Sequence, residues 1–505
     1  MSSTLTPVPA TSSVAGTGVN TEPWIPKHYR PVSTRDHIMV RTASPDYHDW
    51  LGHVRAAAAC TSPVRLAGDI DTVQPATGLL VATKSTESMP DGVIYKPCGN
   101  RRATVCPSCS VTYQRDAYQV IRTGLVGGKG VPTDIAAHPS LFVTFTAPSF
   151  GPVHTRVVLR HTCTDRKRCD CRPEPCRPRR DTPTCPHGQP LACFARHGAA
   201  DLPLGHPLCL DCYDYPAHAV WNCQAGELWR RTTMTIRRTL RRTAKDRGVD
   251  PATIRITYSK VAEMQRRGLV HFHAVIRLDG YNPATGTLFP PTGVGVDDLT
   301  HAVTTAASGT TFVTDPHPIN PAGWAITWGA QLDIRTINTG TGGVTDGQVA
   351  GYLAKYATKS TEATGHACGR ITPDTIDTYA KPAGSHTERL VLACWSVGLD
   401  KQWRGLAKWA HMLGFGGHFL TKARLYSVTF GFLREQRTLW QRRNTTGPVD
   451  PIAEVVEPTI TECFLTYAGK GWHSSGDAVL ANTSAAMARE HQRVAREEMT
   501  TANVR

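Results

Sequence analysis

His271 and His273 flank Phe272 in the run VHFHAVIRL (270–278), and further along the chain two tyrosines and two lysines share GQVAGYLAKYATKS (347–360). Residues two apart on a strand project from the same face. Two imidazoles placed this way can share a divalent cation, and an added carboxylate completes a two-nitrogen, one-oxygen donor set with coordination positions left open. Tyr352, Lys355, Tyr356 and Lys359 fall at i, i+3, i+4 and i+7, one stripe of a helix. Phenols beside ammonium groups suit covalent phosphoryl chemistry. The phenol attacks a phosphodiester while the lysines stabilise phosphate charge or ease phenol ionisation. The plainer alternatives are exposed histidines on a half-buried sheet and half-buried tyrosines with snorkelling lysines.

The chain holds 16 cysteines. Cys106-Pro-Ser-Cys109 and Cys209-Leu-Asp-Cys212 each place two thiolates at the bite of tetrahedral zinc. Between these knuckles lie Cys163, Cys169, Cys171, Cys176, Cys185, His187 and Cys193, and Cys98 precedes the first. The set suffices for one or two structural zinc ions. One grouping is Cys163, Cys185, Cys209 and Cys212, with His187 as a further candidate. Another is Cys98, Cys106 and Cys109 with the fourth ligand unassigned. A thioredoxin-like reading of CPSC wants a βαβ setting that is not evident. Cys60, Cys394 and Cys463 stand alone and read as ordinary buried thiols.

These residues need elements to hold them. LFVTFTAP (141–148), TIRITYSKVAEMQ (253–265), VHFHAVIRL (270–278) and QLDIRTI (331–337) read as strands. Val270, Phe272, Ala274, Ile276 and Leu278 form the core face of the histidine strand. His271, His273, Val275 and Arg277 share the other. A hairpin through Arg267-Gly268-Leu269 sets Met264 opposite Phe272, Glu263 opposite His273 and Gln265 opposite His271. Helices are expected over 98–128 after the first knuckle, and over 226–248, 297–307, 347–360 and most of 381–440.

At 505 residues there is room for two or three domains. No apolar run reaches the roughly 18–20 residues of a membrane span. The Ser-, Thr- and Pro-rich start lacks the basic and apolar parts of a secretory signal, so a cytoplasmic protein with a partly disordered beginning is expected. The 56 Lys and Arg against 41 Asp and Glu give a net charge of +15, which favours polyanions. Arg166, Lys167, Arg168, Arg172, Arg177, Arg179 and Arg180 crowd the cysteine-rich stretch. Arg230, Arg231, Arg237, Arg238, Arg241, Arg242, Lys245 and Arg247 follow one helix. Such groups suit phosphate contacts, or a merely solvated face. GFGGHFLTKAR (414–424) is either another nucleic-acid contact or a turn.

The histidine pair and tyrosine helix together resemble the HUH endonucleases, in which a His-hydrophobe-His strand holds a divalent metal and a tyrosine cuts one DNA strand. FVTFTAP is similar to that superfamily's first motif, ExQxRGxxHFH to its second and YLAKYATK to its third. With CGNRR…CPSC and PLCLDCYDY the pattern resembles the RepSA-type plasmid replication initiators over roughly residues 95–430. The resemblance implies an α+β fold, an antiparallel sheet flanked by helices with a cysteine-rich zinc-binding insertion. It makes His271 and His273 ligands of Mg²⁺ or Mn²⁺, Glu263 their third, and Tyr352 and Tyr356 nucleophile candidates. The third ligand varies across the superfamily. The implied function is nicking of a plasmid origin, single-stranded or extruded, giving a 5′-phosphotyrosine and a 3′-OH for rolling-circle replication. The chain carries no Walker A sequence, so helicase and polymerase would come from the host. The competing readings are a two-tyrosine transposase, a non-enzymatic zinc-containing DNA-binding regulator and, from the ligands alone, an iron oxygenase. The expected divisions are an N-terminal region over 1–95, a catalytic domain over 96–380 with its insertion at 161–215, a helical region over 381–474 and a polar tail over 475–505.

Overall fold

Alternating apolar residues build the main sheet, and one long amphipathic helix covers its core face. The computed structural model describes residues 33–164, 169–179, 184–337, 345–359, 361–364, 369–445 and 459–502. The start expected to be disordered (1–32), the basic residues Arg166, Lys167, Arg168 and Arg180, and Ser360 at the end of the expected tyrosine helix lie outside that range. The chain divides into two units, Met1–Tyr113 with Gln441–Arg505, and Gln114–Trp440. This is not the linear division read from the sequence. The first and last segments belong to one unit, and the helices over 381–440 belong with the histidine strand.

In the Gln114–Trp440 unit the described residues form a six-stranded antiparallel sheet. Its main path runs Leu332–Thr336, Ser140–Phe145, Val270–Asn282, Ile254–Met264, Leu420–Lys422, and Gly286–Leu288 pairs with the end of the histidine strand. The histidine strand is therefore central. Val270, Phe272, Ala274, Ile276 and Leu278 are fully buried beside Leu141, Val143 and Phe145 of the neighbouring strand, as strand alternation requires.

The helix Tyr215–Asp246 packs on this apolar face. Leu228, Trp229, Thr232, Ile236, Leu240 and Ala244 recur at helical spacing and are buried, while the arginine pairs between them are exposed. Trp229 meets Phe272 edge-on at 6.1 Å between ring centroids. The helix starts eleven residues earlier than the expected 226 because Asp214 caps it, accepting the Ala217 N–H, with proline in the first turn. Its arginine face thus lies on the far side of the sheet from the histidines. GFGGHFLTKAR supplies a turn and the edge strand Leu420–Lys422: Gly414 has φ +87°, and a Cβ there would come within 2.7 Å of the Ala219 carbonyl oxygen.

Further along the histidine face, Arg277 and Asp279 are each 1 % exposed and form a closed charge network. Arg277 donates to both Asp279 oxygens (2.5 and 2.9 Å) and to the Gly124 carbonyl. His138 Nδ1 and the Thr257 hydroxyl complete the carboxylate shell at 2.7 Å each. Burial alone would raise the Asp279 pKa, but His138 and Arg277 hold it below the usual carboxylate range. A depressed carboxylate stabilises the fold above its unfolded value of about 3.9, and that stability is lost as pH falls through the folded value. Asp279→Ala is expected to cost about 3–5 kcal/mol at neutral pH, because it strands a buried guanidinium. In acid, below that folded value, variant and parent should converge; equilibrium unfolding from pH 7 downward measures both effects.

The other unit holds a four-stranded antiparallel sheet in which Val64–Val73 pairs with Ile460–Lys470, with Leu80–Ser85 and with Ile94–Lys96. Trp50, Val54, Tyr95 and Ala481 centre its core. Arg41 bridges Asp91 and Asp477 at 2.7 Å each, and Asp91 also accepts from Trp50 Nε1 and the Tyr95 hydroxyl. The stretch expected as a polar tail is the helix Ser475–Ala502. No helix among the described residues is long and apolar enough to cross a membrane.

Candidate active site

The histidine hairpin turns through Arg266, Arg267 and Gly268, one residue earlier than expected. The Gln265 N–H donates to the Leu269 carbonyl at 2.8 Å and the Gly268 N–H to the Gln265 carbonyl at 2.9 Å. Gly268 takes φ +81°, the left-handed residue that closes a three-residue loop. Moving the loop by one residue moves the pairing by two. Glu263 therefore faces His271, Ala262 faces Phe272, and Met264 faces Val270; the expected pairings Glu263–His273, Gln265–His271 and Met264–Phe272 are corrected. A shift of two leaves every side chain on its own face.

Glu263 still reaches His273, along the diagonal between neighbouring strands. Its Oε2 lies 2.8 Å from His273 Nε2, while the Thr144 hydroxyl lies 3.0 Å from His273 Nδ1. Phe142 stacks on the same imidazole at 6.1 Å. His273 is held by both flanking strands and is 4 % exposed, which removes the reading of solvent-facing histidines. Thr144 and Phe142 were not singled out from sequence, although both sit on the non-core face of FVTFTAP by simple alternation. The Gln265 side-chain amide lies 3.4 Å from His271 Nδ1, and His271 Nε2 is buried without a hydrogen-bond partner. Burial, then the neighbouring His273 and Arg267, push His271 down to about 3, so it is neutral at pH 7.

The tyrosine helix runs Asp346–Ala357 behind a capping box. Thr345 and Gln348 each accept the other's backbone N–H at 3.2 Å. Val349, Ala350, Leu353, Ala354 and Ala357 are buried and turn Tyr352 and Tyr356 toward the histidines. The two phenol rings are 4.5 Å apart, and they lie 5.3 and 5.6 Å from the His273 ring. Lys359 falls beyond the helix end and sets its ammonium 4.5 Å from the centre of the Tyr356 ring, whereas Lys355 is exposed. Burial raises both phenol pKa values, and the neighbouring Glu263 charge adds to the rise. The neighbouring phenol adds to the rise at Tyr352 and opposes it at Tyr356.

The donor set suits a divalent ion in kind: two imidazoles, one carboxylate, and a buried His271 nitrogen with no protein partner. The groups that converge to within 4.8 Å among the described residues are four others, all rich in cysteine. Cys60, Cys98, Cys106 and Cys109 form one, with sulfur separations of 3.7–3.8 Å. That is the edge of a tetrahedron with metal–sulfur bonds of about 2.3 Å. Cys60, expected to stand alone, is thus the fourth member of that group. Cys185, His187, Cys209 and Cys212 form the second; His187 takes the place expected for Cys163. Cys163 instead joins His161, Cys169 and Cys171, and His154, Cys176, Cys193 and His197 make a fourth group. Three groups hold one thiol far down. Burial opposes it at Cys106 and Cys185, but N–H donors of Thr61 and Gln189 bring them to about 6 and about 7. Thr162 brings Cys171 to about 6. These groups can hold structural zinc.

A family model described as replication initiator protein, pSAM2 (RepSA) matches residues 46–486. The chain is 37 % identical over 475 residues to a replication initiator protein of Streptomyces ambofaciens, covering 92 % of this chain and 96 % of that one. No solved structure matches.

Proposed function

The chain belongs to the RepSA family of replication initiators, and on that premise we propose that it nicks one strand at a plasmid origin by tyrosine attack. The observation that carries this reading is the contact of both phenol rings with His273, itself held by Thr144 and Glu263. His271, His273 and Glu263 would hold Mg²⁺ or Mn²⁺. When bound, such an ion supplies Lewis-acid polarisation of the scissile phosphate and orients it.

The chain's own residues do the rest. Tyr352 is 39 % exposed, open to a strand laid along the helix, while Tyr356 lies deeper beside Lys359. A phenol oxygen forms the new bond to phosphorus as the bond to the 3′ oxygen breaks. The phenol proton leaves and the 3′ oxygen gains one. The products are a 5′-phosphotyrosine and a 3′-OH primer, so the phosphodiester bond energy is conserved and no nucleotide cofactor is needed. The second phenol would repeat the exchange at termination of a rolling circle, with host helicase and polymerase extending the strand between. Exposed Arg237, Arg238, Arg241 and Arg242, across the sheet from the tyrosines, suit phosphates away from the cut.

The test incubates the protein with single-stranded origin DNA and Mn²⁺. A covalent protein–DNA adduct that forms with Mn²⁺ and not with chelator is expected. Origin binding without any adduct would point instead to a non-enzymatic, zinc-containing DNA-binding initiator.

A further inference from the structure

We infer that His154, Cys176, Cys193 and His197 bind a zinc ion that fixes the turn of the histidine hairpin. The four donors converge from three separate backbone segments. His154 Nδ1 lies 3.1 Å from His197 Nε2, Cys193 Sγ 3.6 Å from His197 Nε2, and Cys176 Sγ 3.9 Å from His154 Nδ1. Tetrahedral zinc with bonds of about 2.05 Å to nitrogen and about 2.3 Å to sulfur has edges of about 3.3–3.8 Å. A hydrogen bond between the imidazoles could account for the first distance, but not for two thiols gathered on the same nitrogens.

The surroundings are those of a built site. Asp201 Oδ2 lies 3.2 Å from His197 Nδ1 and also accepts the Gly198 N–H at 2.9 Å. A carboxylate on the far nitrogen holds that proton there and aims the Nε2 lone pair inward. The Cys176 sulfur accepts the Thr155 N–H at 3.1 Å. Arg177 and Cys193 exchange backbone hydrogen bonds of 2.7 and 2.9 Å, which set the two cysteines side by side. His154 is tied in the same way, donating to His206 and accepting from Gly205, at 2.9 Å each.

The segment between His197 and His206 is what reaches the hairpin. Arg266, in its turn, donates to the Ala199 and Asp201 carbonyls at 2.8 and 3.0 Å. Gly205 (φ +84°) lies so close that a Cβ would stand 2.9 Å from the Arg267 nitrogen and 3.1 Å from Arg266 Cβ. The proposed ion thus anchors a segment from both ends, His197 at one and the His154 pairing at the other. That segment buttresses the turn whose closure decides which residue Glu263 faces. The inference places these four residues as positioning residues and does not require the nicking reading.

The test uses the full-length protein without DNA. Cys176→Ser with Cys193→Ser is expected to carry one zinc equivalent fewer per chain by elemental analysis. Amide exchange at Arg267–Leu269 should become faster. Arg266→Ala should keep the full zinc content and show the same faster exchange. His154→Cys preserves four donors and should fold with its full zinc content, so a poorly folding double serine variant beside a sound His154→Cys also supports the site. A double serine variant with unchanged zinc content overturns the inference. So does one that loses zinc while exchange at the turn stays as in the parent.

Discussion

Tyr352→Phe combined with Tyr356→Phe is expected to abolish covalent capture of origin DNA, lowering cleavage by on the order of 10⁴-fold or more, the scale seen when a nucleophile is removed. The variant keeps the rings that pack against His273 and Phe142, so only two hydroxyl groups are lost. Melting temperature and origin binding should match the parent. A 3′-labelled origin strand resolved under denaturing conditions reads the adduct directly, since a 5′-phosphotyrosine retains that label. The single variants should differ. Tyr352→Phe and Tyr356→Phe assayed singly read which phenol makes the first cut. An adduct that survives in the double variant sinks the tyrosine mechanism.

His271→Ala with His273→Ala should remove the dependence of cleavage on Mn²⁺ together with most of the cleavage itself. Loss of two ligands forfeits several kcal/mol of charge stabilisation at the phosphate. At about 1.4 kcal/mol per factor of ten, roughly 10²–10³-fold is expected. Of the side chains removed, His273 touches both phenols, so the phenols lose one neighbour but keep each other. Titration of Mn²⁺ by calorimetry separates a lost ion from a misplaced phenol. Parent protein should bind and the double variant should not. Normal cleavage by the variant would show that the histidines have another use. Any zinc held by the cysteine groups is measured alongside, since a chelator would strip both kinds of site.

Much of the site was legible because it rests on local chain geometry. Strand alternation alone put Phe272 in the core and His271 with His273 on the opposite face, and both placements hold in the folded chain. Helical spacing put Tyr352 and Tyr356 on one stripe, where their rings meet at 4.5 Å. A CxxC pair has a fixed bite, so each knuckle was readable as half of a metal group. These properties depend on a few consecutive dihedral angles and survive whatever the rest of the chain does.

What depended on closure between distant segments was not legible. The hairpin register turned on which residue of Arg266-Arg267-Gly268-Leu269 takes positive φ, and the glycine occupies the last loop position, not the middle. That moved Glu263 opposite His271, and only side-chain reach across the diagonal returned it to His273. Cys60 lies far upstream of Cys98 and carries no knuckle of its own, yet packing makes it the fourth member of that group. Pairing of Val64–Val73 with Ile460–Lys470 makes one unit out of both ends of the chain, which no local pattern could announce. The chemistry available to this protein was written in residue type and period. Which donors meet, and in which register, was decided by tertiary contacts whose partners are remote in sequence.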